Sequence, residues 1–452
     1  MPQSGDKPLR VLFCIGVNQN FFDLPTGQGK AVWDGFTTML SQLWELPGVS
    51  VLGTMDDDQH MVGPSGSWPW TSYVLADVTD QPTVAAACNL FRTVHHAKST
   101  SRKGIMRSLT FVFGTGRSGS TALSRILNSH PDVLSLNEFM ASVGDASFPR
   151  GEVGGEEFWQ ALSDPAPHFE QMIRSGLPLP EFLHTSRPGR YAAQTTVGIP
   201  ALSLMVLPHL TDDPDALLDE LGAAVVQWPR RTAAEQHRAL YDLLCARFGR
   251  TAVVERSGYS TGWAPGLREA FPEARFVHMF RDGPDCALSM SRHPGYRAIS
   301  LLREIKTRSG IASFGELTPE HVRALPPDLA PLLDERFDPA LVRDRDIPLR
   351  TFGALWSQLV TEGTEFLTGL PADRRTTLAY EDLLDRPAEE LTRLAEFIGV
   401  DPVPSWLKAG SALLDHSRRG SARSLPAAEL AELRESCASG THVLEGRPSP
   451  PA

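Results

Sequence analysis

The stretch FVFGTGRSGSTALSRILNSHPDV, residues 111–133, decides the fold of the larger part of the chain. It reads as a buried strand, a glycine-rich turn and a helix, which is the layout of a phosphate-binding loop. Gly114 and Gly119 have the spacing of the motif G-x-x-x-x-G-K-[ST], but Ser120 stands where nucleotide hydrolases carry a lysine. The loop therefore predicts a site for a phosphate-like group, with chemistry other than nucleotide hydrolysis.

The side chains of the loop strengthen this prediction. Ser118, Ser120 and Thr121 would add hydroxyl donors to the backbone N–H groups. The guanidinium of Arg117, in the middle of the turn, would point at the bound anion. The alternative is a glycine turn that only joins a strand to a helix. No aspartate in a Walker-B context follows, so a magnesium-dependent nucleotide hydrolase is not indicated.

A second motif follows another predicted strand. In RFVHMFRDGPDCALSMSRH, residues 275–293, the strand delivers Arg281, and a helix beginning near Pro284 places Ser289 within reach of the same anion. Alone, the motif fits equally well with Arg281 pairing with a nearby carboxylate and Ser289 lying on a solvated helix face. Both motifs in this order strengthen the interpretation of each as part of an anion-binding site.

The two motifs together resemble the sulfotransferases, which use 3′-phosphoadenosine 5′-phosphosulfate (PAPS) as donor. TGRSGST, residues 115–121, resembles the 5′-phosphosulfate loop of that family, and Arg281 with Ser289 resembles its 3′-phosphate motif. The resemblance covers residues 108–440. It implies an α/β fold with a P-loop-type parallel sheet flanked by helices, and in-line transfer that needs no metal.

Three residues resemble the tyrosylprotein and general bacterial branch of the family. Arg117 stands where the cytosolic steroid and phenol enzymes have lysine, Glu138 where tyrosylprotein enzymes have a glutamate base, and Arg256 where they have a catalytic lysine. The resemblance implies Glu138 as the base, with both arginines stabilising charge on the leaving phosphate. The structural alternative for Glu138 is a carboxylate that caps a helix or pairs with an arginine.

Other positions depart from the family pattern. Ala122 stands where cytosolic enzymes have the tryptophan that stacks on adenine, so the adenine platform must come from elsewhere. Tyr380, in LAYEDL, resembles a segment near the adenine site of the tyrosylprotein branch, or else simply ends a core strand. His130 at a helix end and His278 within a strand are both interpreted as structural, not as the catalytic histidine of the cytosolic enzymes.

A separate module is predicted before this domain. Strand and helix patterns follow the order β-α-β-β-α, which is most of a ferredoxin-like α+β fold and often pairs through its sheet. The segment RVLFCIGVNQNFF also resembles the sequences of small proteins found in bacterial gene clusters for indole-acetate catabolism. The predicted divisions are a module at 1–97, a linker at 98–107, a sulfotransferase domain at 108–440 with an acceptor-side insertion at 139–250, and a disordered tail at 441–452.

Composition limits the possible functions of the 452-residue chain. Hydrophobic residues make up 41% and charged residues 21%, as in globular proteins, and no apolar run is long enough to cross a bilayer. A net charge of −11 argues against nucleic-acid binding. Five cysteines without a C-x-x-C indicate neither a disulfide framework nor a zinc site. We expect a cytoplasmic bacterial protein without a metal.

The sequence therefore predicts an enzyme that transfers a sulfuryl group from PAPS to a hydroxyl of a small molecule, as in secondary metabolism. A homodimer through the first module is a further prediction. Two alternatives stay open: a protein that senses PAPS or adenosine 3′,5′-bisphosphate (PAP) without turnover, and an enzyme located in the first module. A candidate base beside the loop argues against the first alternative. The acidic turn at Asp56–Asp58 with His60 invites a metal in the second, but an exposed turn explains it better.

Overall fold

A computed structural model describes residues 8–16, 26–56, 71–84, 86–87, 107–144, 147–193 and 196–446 of the chain. The chain divides into two compact units, Met1–Met106 and Arg107–Ala452. The predicted linker, residues 98–107, lies outside the described residues except for Arg107. Within the described ranges, no helix has both the length and the apolar character needed to span a membrane.

The first unit contains an antiparallel three-stranded sheet. Its elements are β1 Leu9–Gly16, α1 Thr26–Glu45, β2 Val49–Asp56 and β3 Thr71–Val78. The strand order is β1-β3-β2 with β3 antiparallel to both neighbours, which is the split β-α-β arrangement of ferredoxin-like folds. The second predicted helix is described only at residues 81–84 and 86–87, and the acidic turn beyond Asp56 lies outside the described residues.

One face of this sheet forms a small core. Val74, Ala76 and Val78 alternate along β3 and are fully buried, because successive residues of a strand point to opposite faces. Leu12 on β1 is 50% exposed. Pairing of two modules through their sheets, which the sequence suggests, stays a prediction.

The second unit is built on a five-stranded parallel sheet, in agreement with the predicted fold class. The order of its strands is β10-β9-β4-β8-β5, and a two-residue pair β6-β7 lies apart from it. All neighbours in the large sheet are parallel. The strands are β4 Ser108–Gly114, β5 Val133–Asn137, β6 Glu152–Val153, β7 Arg231–Thr232, β8 Ala252–Arg256, β9 Arg275–Phe280 and β10 Arg375–Ala379.

Helices cover both faces of this sheet. They are α2 Ser120–Asn128, α3 Phe139–Val143, α4 Gly155–Ser163, α5 Pro167–Arg174, α6 Ala201–Met205, α7 Leu207–Leu210, α8 Pro214–Val225, α9 Ala233–Phe248, α10 Ala264–Ala270, α11 Gly283–Ser291, α12 Pro294–Ser309, α13 Pro319–Ala324, α14 Ala340–Arg343, α15 Leu349–Thr368, α16 Tyr380–Asp385, α17 Pro387–Ile398, α18 Pro404–Ala412 and α19 Ala427–Glu445. Short 3₁₀ turns lie at His184–Ser186, Thr261–Trp263, Phe314–Glu316, Ala330–Leu333, Ala372–Arg374, His416–Arg418 and Ser421–Ser424.

The central strand β4 contributes to a separate core on each face of the sheet. Leu109, Phe111 and Phe113 point into one core, which α9 and α10 help to close. Val112 points into the other, beneath α2 and α17. Because a parallel strand is buried on both faces, its sequence is apolar almost without interruption, and this is the pattern by which the sequence identified β4.

Two long helical segments interrupt the alternation of strands and helices. The first follows β5 and contains α3 to α9, within the insertion predicted at residues 139–250. The second, residues 294–368 between α11 and β10, contains α12 to α15, and the sequence reasoning did not identify it as a separate feature. Its helix α12 contacts the phosphate loop, as described below.

The C-terminal boundary differs from the prediction. The sequence places a disordered tail at 441–452, whereas α19 continues to Glu445, and residues 447–452 lie outside the described residues. The helix continues because Leu433 and Cys437 are buried against α11 and α15, so its apolar face has a partner up to its last turns. The proline-rich composition of the final residues is a signal only for the segment beyond the helix.

We predict that a chain shortened to begin at Ser101 keeps the fold of the second unit. The sheet and both of its cores are built from residues after Arg107, and the two units are compact separately. The shortened chain should unfold in one cooperative transition by circular dichroism, at the temperature of the corresponding transition in the full chain. A chain beginning at Leu123, which lacks β4, is the control and should not fold. An insoluble Ser101 chain would contradict the division.

Candidate functional site

The five parallel strands end at one edge of the sheet, and most of the residues predicted from the sequence lie at or beyond these ends. In open parallel sheets, ligands bind at the carboxyl edge of the strands. The positions are Thr115 after β4, Glu138 after β5, Arg256 at the end of β8, Arg281 after β9 and Tyr380 after β10.

The loop between β4 and α2 has a backbone that requires glycine at two positions. Gly116 has a φ of +64° and faces the hydroxyl of Tyr296, which would overlap any added Cβ. Gly119, with a φ of +86°, lies against the ring of Tyr380 and precedes the first turn of α2. The left-handed region is costly for residues with a Cβ, and both sites are also closed sterically.

The carbonyl groups of the loop are held from the inside of the protein. The Tyr296 hydroxyl donates to the carbonyl of Thr115 at 2.7 Å, and the thiol of Cys286 donates to the carbonyl of Gly116 at 3.4 Å. The loop therefore rests on α11 and α12. Of the predicted hydroxyl donors, Ser118 is buried in the loop, Ser120 is half-buried and Thr121 is exposed on the first turn of α2.

Arg117 lies between the two predicted motifs. Its φ of +52° is rare for a residue other than glycine, and such strain is common at functional sites. The guanidinium donates from Nε to Ser289 Oγ at 3.3 Å and from Nη1 to Glu181 Oε1 at 2.9 Å. The structure thus joins the loop to the serine of the second motif and to a carboxylate of the insertion.

Glu181 is fixed on its other side by His293. The Nε2 atom of His293 lies 3.0 Å from Glu181 Oε2, while the N–H of Gly295 donates to Nδ1, so Nε2 carries the hydrogen that bonds the carboxylate. Burial acts to raise the pKa of Glu181. The hydrogen bond from His293 and the positive charge of Arg117 outweigh it, so the pKa lies below its ordinary value. Glu181 is therefore an anion at neutral pH.

Glu138 and Arg256 form a buried ion pair at the ends of β5 and β8. One guanidinium nitrogen of Arg256 contacts Glu138 Oε1 and another contacts the side-chain oxygen of Asn137. Its Nε donates to Ser124 Oγ in α2 at 2.7 Å. The N–H of Gly258 donates to Glu138 Oε2 at 3.0 Å, so both carboxylate oxygens have a donor. The predicted base and one predicted cation are in direct contact.

Glu138 also matches one part of its structural alternative, because it pairs with an arginine. It occupies the N-cap position of α3, with a φ of +53°, but its carboxylate makes no capping hydrogen bond to that helix. Gly258, which donates to its carboxylate, lies beside Gly116 of the phosphate loop. The carboxylate of Glu138 therefore has a structural role and also lies next to the candidate ligand site.

Arg281 does not contact Ser289 in the described structure. It is buried, its guanidinium lies 5.2 Å from the centre of the Tyr380 ring, and it donates to Asp285 Oδ2 at 3.3 Å and to the carbonyl of Arg418. The carboxylate pairing that the sequence left open is therefore present. The Nε of Arg281 is buried and has no hydrogen-bond partner, so one donor of this group is available.

Asp285 holds the segment after α18 against the second motif. Its carboxylate accepts from the N–H groups of Gly420 at 2.6 Å and Ala422 at 2.8 Å, and from the hydroxyl of Ser421 at 3.3 Å. These three bonds satisfy the buried carboxylate apart from its bond with Arg281. Arg281 can therefore exchange partners without leaving Asp285 unpaired.

The two histidines considered in the sequence have structural positions. His130 is buried, its Nδ1 accepts from the N–H of Asp132 at 3.1 Å, and its ring meets the edge of Trp406. His278 lies in β9, stacked on Phe113 with ring centres 5.1 Å apart. Ala122 is half-buried beside the core under α2, so it offers no aromatic surface for adenine.

Sequence reasoning missed Glu181, His293 and Tyr296. Glu181 lies in the insertion, where no motif marks it, and its position depends on tertiary folding. His293 precedes Pro294 and accepts from a backbone N–H as the N-cap of α12, which is a local signal for a helix start. That signal identifies a cap, not a contact with Glu181.

Among the described residues, no group of three or more histidine, cysteine, aspartate or glutamate side chains is arranged to hold a metal ion. Three of the five cysteines, Cys245, Cys286 and Cys437, are buried and form no disulfide. Burial raises the pKa of the Cys286 thiol to about 12, so this cysteine beside the loop remains a neutral thiol.

A phosphate-type loop lies at the carboxyl edge of a parallel sheet, beside a buried carboxylate and arginine, and this edge is where open α/β sheets bind their ligands. Residues 110–308 match the model of the sulfotransferase family. This match confirms the resemblance carried by the two motifs. The match indicates an enzyme that transfers sulfuryl groups. The resemblance of the first unit to indole-acetate-associated proteins stays a prediction.

Several solved sulfotransferase structures are similar to the chain. The sulfotransferase domain of the Synechococcus PCC 7002 olefin synthase has 16% identity and a TM-score of 0.37, covering 75% of this chain and 98% of its own. A sulfotransferase domain from the curacin biosynthetic pathway has 15% identity and a TM-score of 0.37, over 74% and 99%. Sulfotransferase STF9 from Mycobacterium avium has 14% identity and a TM-score of 0.35, over 79% and 82%. No curated protein matches the chain.

We predict that Gly119→Ala destabilises the protein more than Gly249→Ala does. Gly249 has a left-handed backbone with a φ of +65° and open space around it, so alanine there adds only the cost of that backbone conformation, roughly 1–2 kcal/mol. At Gly119 the methyl group would also meet the Tyr380 ring. Gly262→Ala, where nothing lies nearby, is the control. Thermal unfolding should rank the losses in the order Gly119, Gly249, Gly262, and equal losses at the first two would contradict the close contact.

Proposed function

We propose that the chain transfers a sulfuryl group from PAPS to a hydroxyl of a small-molecule acceptor. The observation that carries this proposal is the buried Glu138–Arg256 pair, held by Gly258 beside Gly116 of the phosphate loop. Such a position brings a candidate base next to the group that the loop would bind. The long insertion after β5 would form the acceptor pocket.

In such a transfer the acceptor oxygen bonds to sulfur, the bond from sulfur to the bridging phosphate oxygen breaks, and the hydroxyl proton goes to a base. Glu138 is the proposed base, because each of its carboxylate oxygens has a second lone pair beyond those used by Arg256 and Gly258. Arginine is a poor proton donor, so Arg117 and Arg256 would act by charge and hydrogen bonding on the leaving phosphate.

The donor would bind at both motifs. The loop residues Arg117 to Thr121 would hold the 5′-phosphosulfate, with the N-terminus of α2 adding its N–H groups. Arg281, with its available Nε, and Ser289 would hold the 3′-phosphate. Because Ser289 now accepts from Arg117, binding there would require the side chains to change partners. Tyr380 lies next to both Gly119 and Arg281, and because its ring is buried, adenine would stack on it only after Arg281 moved away.

We predict that PAP, the product of the donor, raises the melting temperature without magnesium. A ligand at 100 times its Kd stabilises the folded state by about 2.7 kcal/mol, which corresponds to roughly 5 °C for a domain of this size. Arg281→Met should abolish most of the shift while the protein folds, since Asp285 keeps three other donors. An equal shift with ATP, or a strict need for magnesium, would contradict the proposed donor.

The Glu181→Gln variant adds a directional test of donor binding. Glu181 is an anion bonded to Arg117, so the phosphosulfate must displace it or bind beside its charge. Removing the charge should increase PAP affinity severalfold, measured by titration calorimetry. Weaker binding in this variant would mean that Glu181 orients Arg117 for the donor instead of competing with it.

We predict that Glu138→Gln lowers turnover by roughly 10²–10⁴-fold while PAP binding survives. Glutamine keeps the size and can still accept from Arg256, but it cannot take a proton. Turnover would be measured by mass spectrometry of sulfated products over a panel of phenols, alcohols and sugars. Glu220→Gln, which removes a surface pair with Arg247, is the control and should be fully active. PAP binding by the wild type without any turnover would instead favour the sensing alternative.

A further inference from the structure

The four residues Glu255 to Gly258 enclose Glu138 from several sides. The N–H of Glu138 donates to the carbonyl of Arg256 at 2.7 Å, and the N–H of Gly258 donates to its carboxylate. Together with the ion pair made by the Arg256 side chain, these contacts explain how Arg256 and Gly258 hold Glu138. The other two, Glu255 and Ser257, are also buried, and the transfer mechanism gives them no task.

Glu255 and Ser257 bind the first turn of α3, immediately after Glu138. Glu255 Oε1 accepts from the N–H of Met140 at 3.1 Å and from the hydroxyl of Ser257 at 2.6 Å. Ser257 Oγ in turn accepts from the N–H of Ala141 at 3.2 Å. The first N–H groups of a helix have no partner within the helix, so two side chains from the end of β8 supply partners here.

This contact fixes a strained backbone. Glu138 has a left-handed φ of +53°, a conformation that costs a residue with a Cβ about 1–3 kcal/mol and persists only where the surroundings enforce it. On one side Glu138 is held by β5, and on the other by the anchored start of α3. If the first turn of α3 were released, the turn at Glu138 could relax and its carboxylate would leave Arg256.

We propose that Glu255 and Ser257 are positioning residues for Glu138, holding α3 so that the carboxylate stays between Arg256 and Gly258. The inference rests on the proposed role of Glu138 as base. Neither residue is proposed to touch donor or acceptor. Their effect on the reaction would pass through the placement of Glu138.

The ionisation of Glu255 supports this assignment. Burial raises its pKa to about 7, against the opposing effect of the bonds from Ser257 and Met140; the charge of Glu138 raises it further and that of Arg256 lowers it. The buried hydroxyl of Tyr241, on α9, is the other titratable group that faces it. An ionised Glu255 makes charge-assisted bonds to α3, which are stronger than neutral ones. Activity should therefore rise with a midpoint near pH 7.

The raised pKa of Glu255 affects stability in the opposite direction from activity. Because the pKa of Glu255 is raised in the folded state, its protonated form favours folding, and this contribution is lost as the pH rises through about 7. Glu255→Gln removes the titration from both properties. As the pH rises through about 7, the difference in the free energy of unfolding between variant and wild type should shift in favour of the variant. The variant should also lack the rise in activity near pH 7.

The variants Glu255→Met, which removes the oxygen that accepts from Met140 and Ser257, and Ser257→Ala test the proposal, with Thr110→Val as the control. Thr110 is buried on β4 and its hydroxyl has no partner, so valine replaces a core polar group away from α3. Both test variants should keep PAP affinity within about twofold and lose turnover by at least about 10-fold, as expected when a reacting group is misplaced. Unchanged turnover, together with a retained rise near pH 7 in Glu255→Gln, would overturn the proposal.

Hydrogen–deuterium exchange separates this inference from the proposed function. In both test variants the segment 138–144 should exchange faster than in the wild type, while 120–128 in α2 should not change. If the wild type bound PAP but showed no turnover, the proposed function would fail, and faster exchange at 138–144 would still support the anchoring of α3. Unchanged exchange at 138–144 in both variants would overturn the anchoring whatever the turnover.

Discussion

Two opposite charges, Glu138 and Arg256, are buried against each other at the edge of the sheet, and much of the site depends on keeping them satisfied. A buried ion is costly unless it is paired and its remaining hydrogen-bonding atoms are used. Asn137, Ser124 and Gly258 supply those partners from three different elements. The pair therefore connects the ends of β5 and β8 with α2, which follows the phosphate loop, and with the chain after β8. The proposed role of Glu138 as a base and its role in stabilising the fold are compatible, because both require the same geometry.

The cations of the two motifs already have partners within the protein. Arg117 is bonded to Glu181, and Arg281 lies over Tyr380 with bonds to Asp285 and Arg418. Binding of the proposed anionic donor would thus be an exchange of partners, and its affinity would be the difference between the new contacts and those given up. Because Glu181 belongs to the insertion after β5, this exchange would link the phosphate loop to the proposed acceptor side.

The parts of the site that the sequence could predict are those marked by local patterns. Parallel strands have apolar runs, and the loop has glycines at fixed spacing, so β4, the loop and the start of α2 were identifiable from residues 111–133. Glu138 and Arg256 were identified in another way, by the resemblance of their positions to those of catalytic residues in the tyrosylprotein branch. Glu181 and His293 were not identifiable, since their contact with Arg117 is made by segments without a motif that are folded onto the loop from elsewhere. The same holds for Tyr296, which sits in a helical segment between β9 and β10.

The strand order has a consequence for how the protein acquires its site. β4 lies at the centre of the sheet, yet its neighbours β8 and β9 begin at Ala252 and Arg275, and β10 follows only at Arg375. Pairings between residues this far apart in sequence close long loops and form slowly. Until they form, the apolar faces of β4 have no cover, and the loop has neither Gly258 nor Tyr296 to rest on. The kinetics of folding should therefore show the ligand site appearing late and in one step with the sheet, and a chaperone that shields β4 during synthesis would raise the yield of active protein.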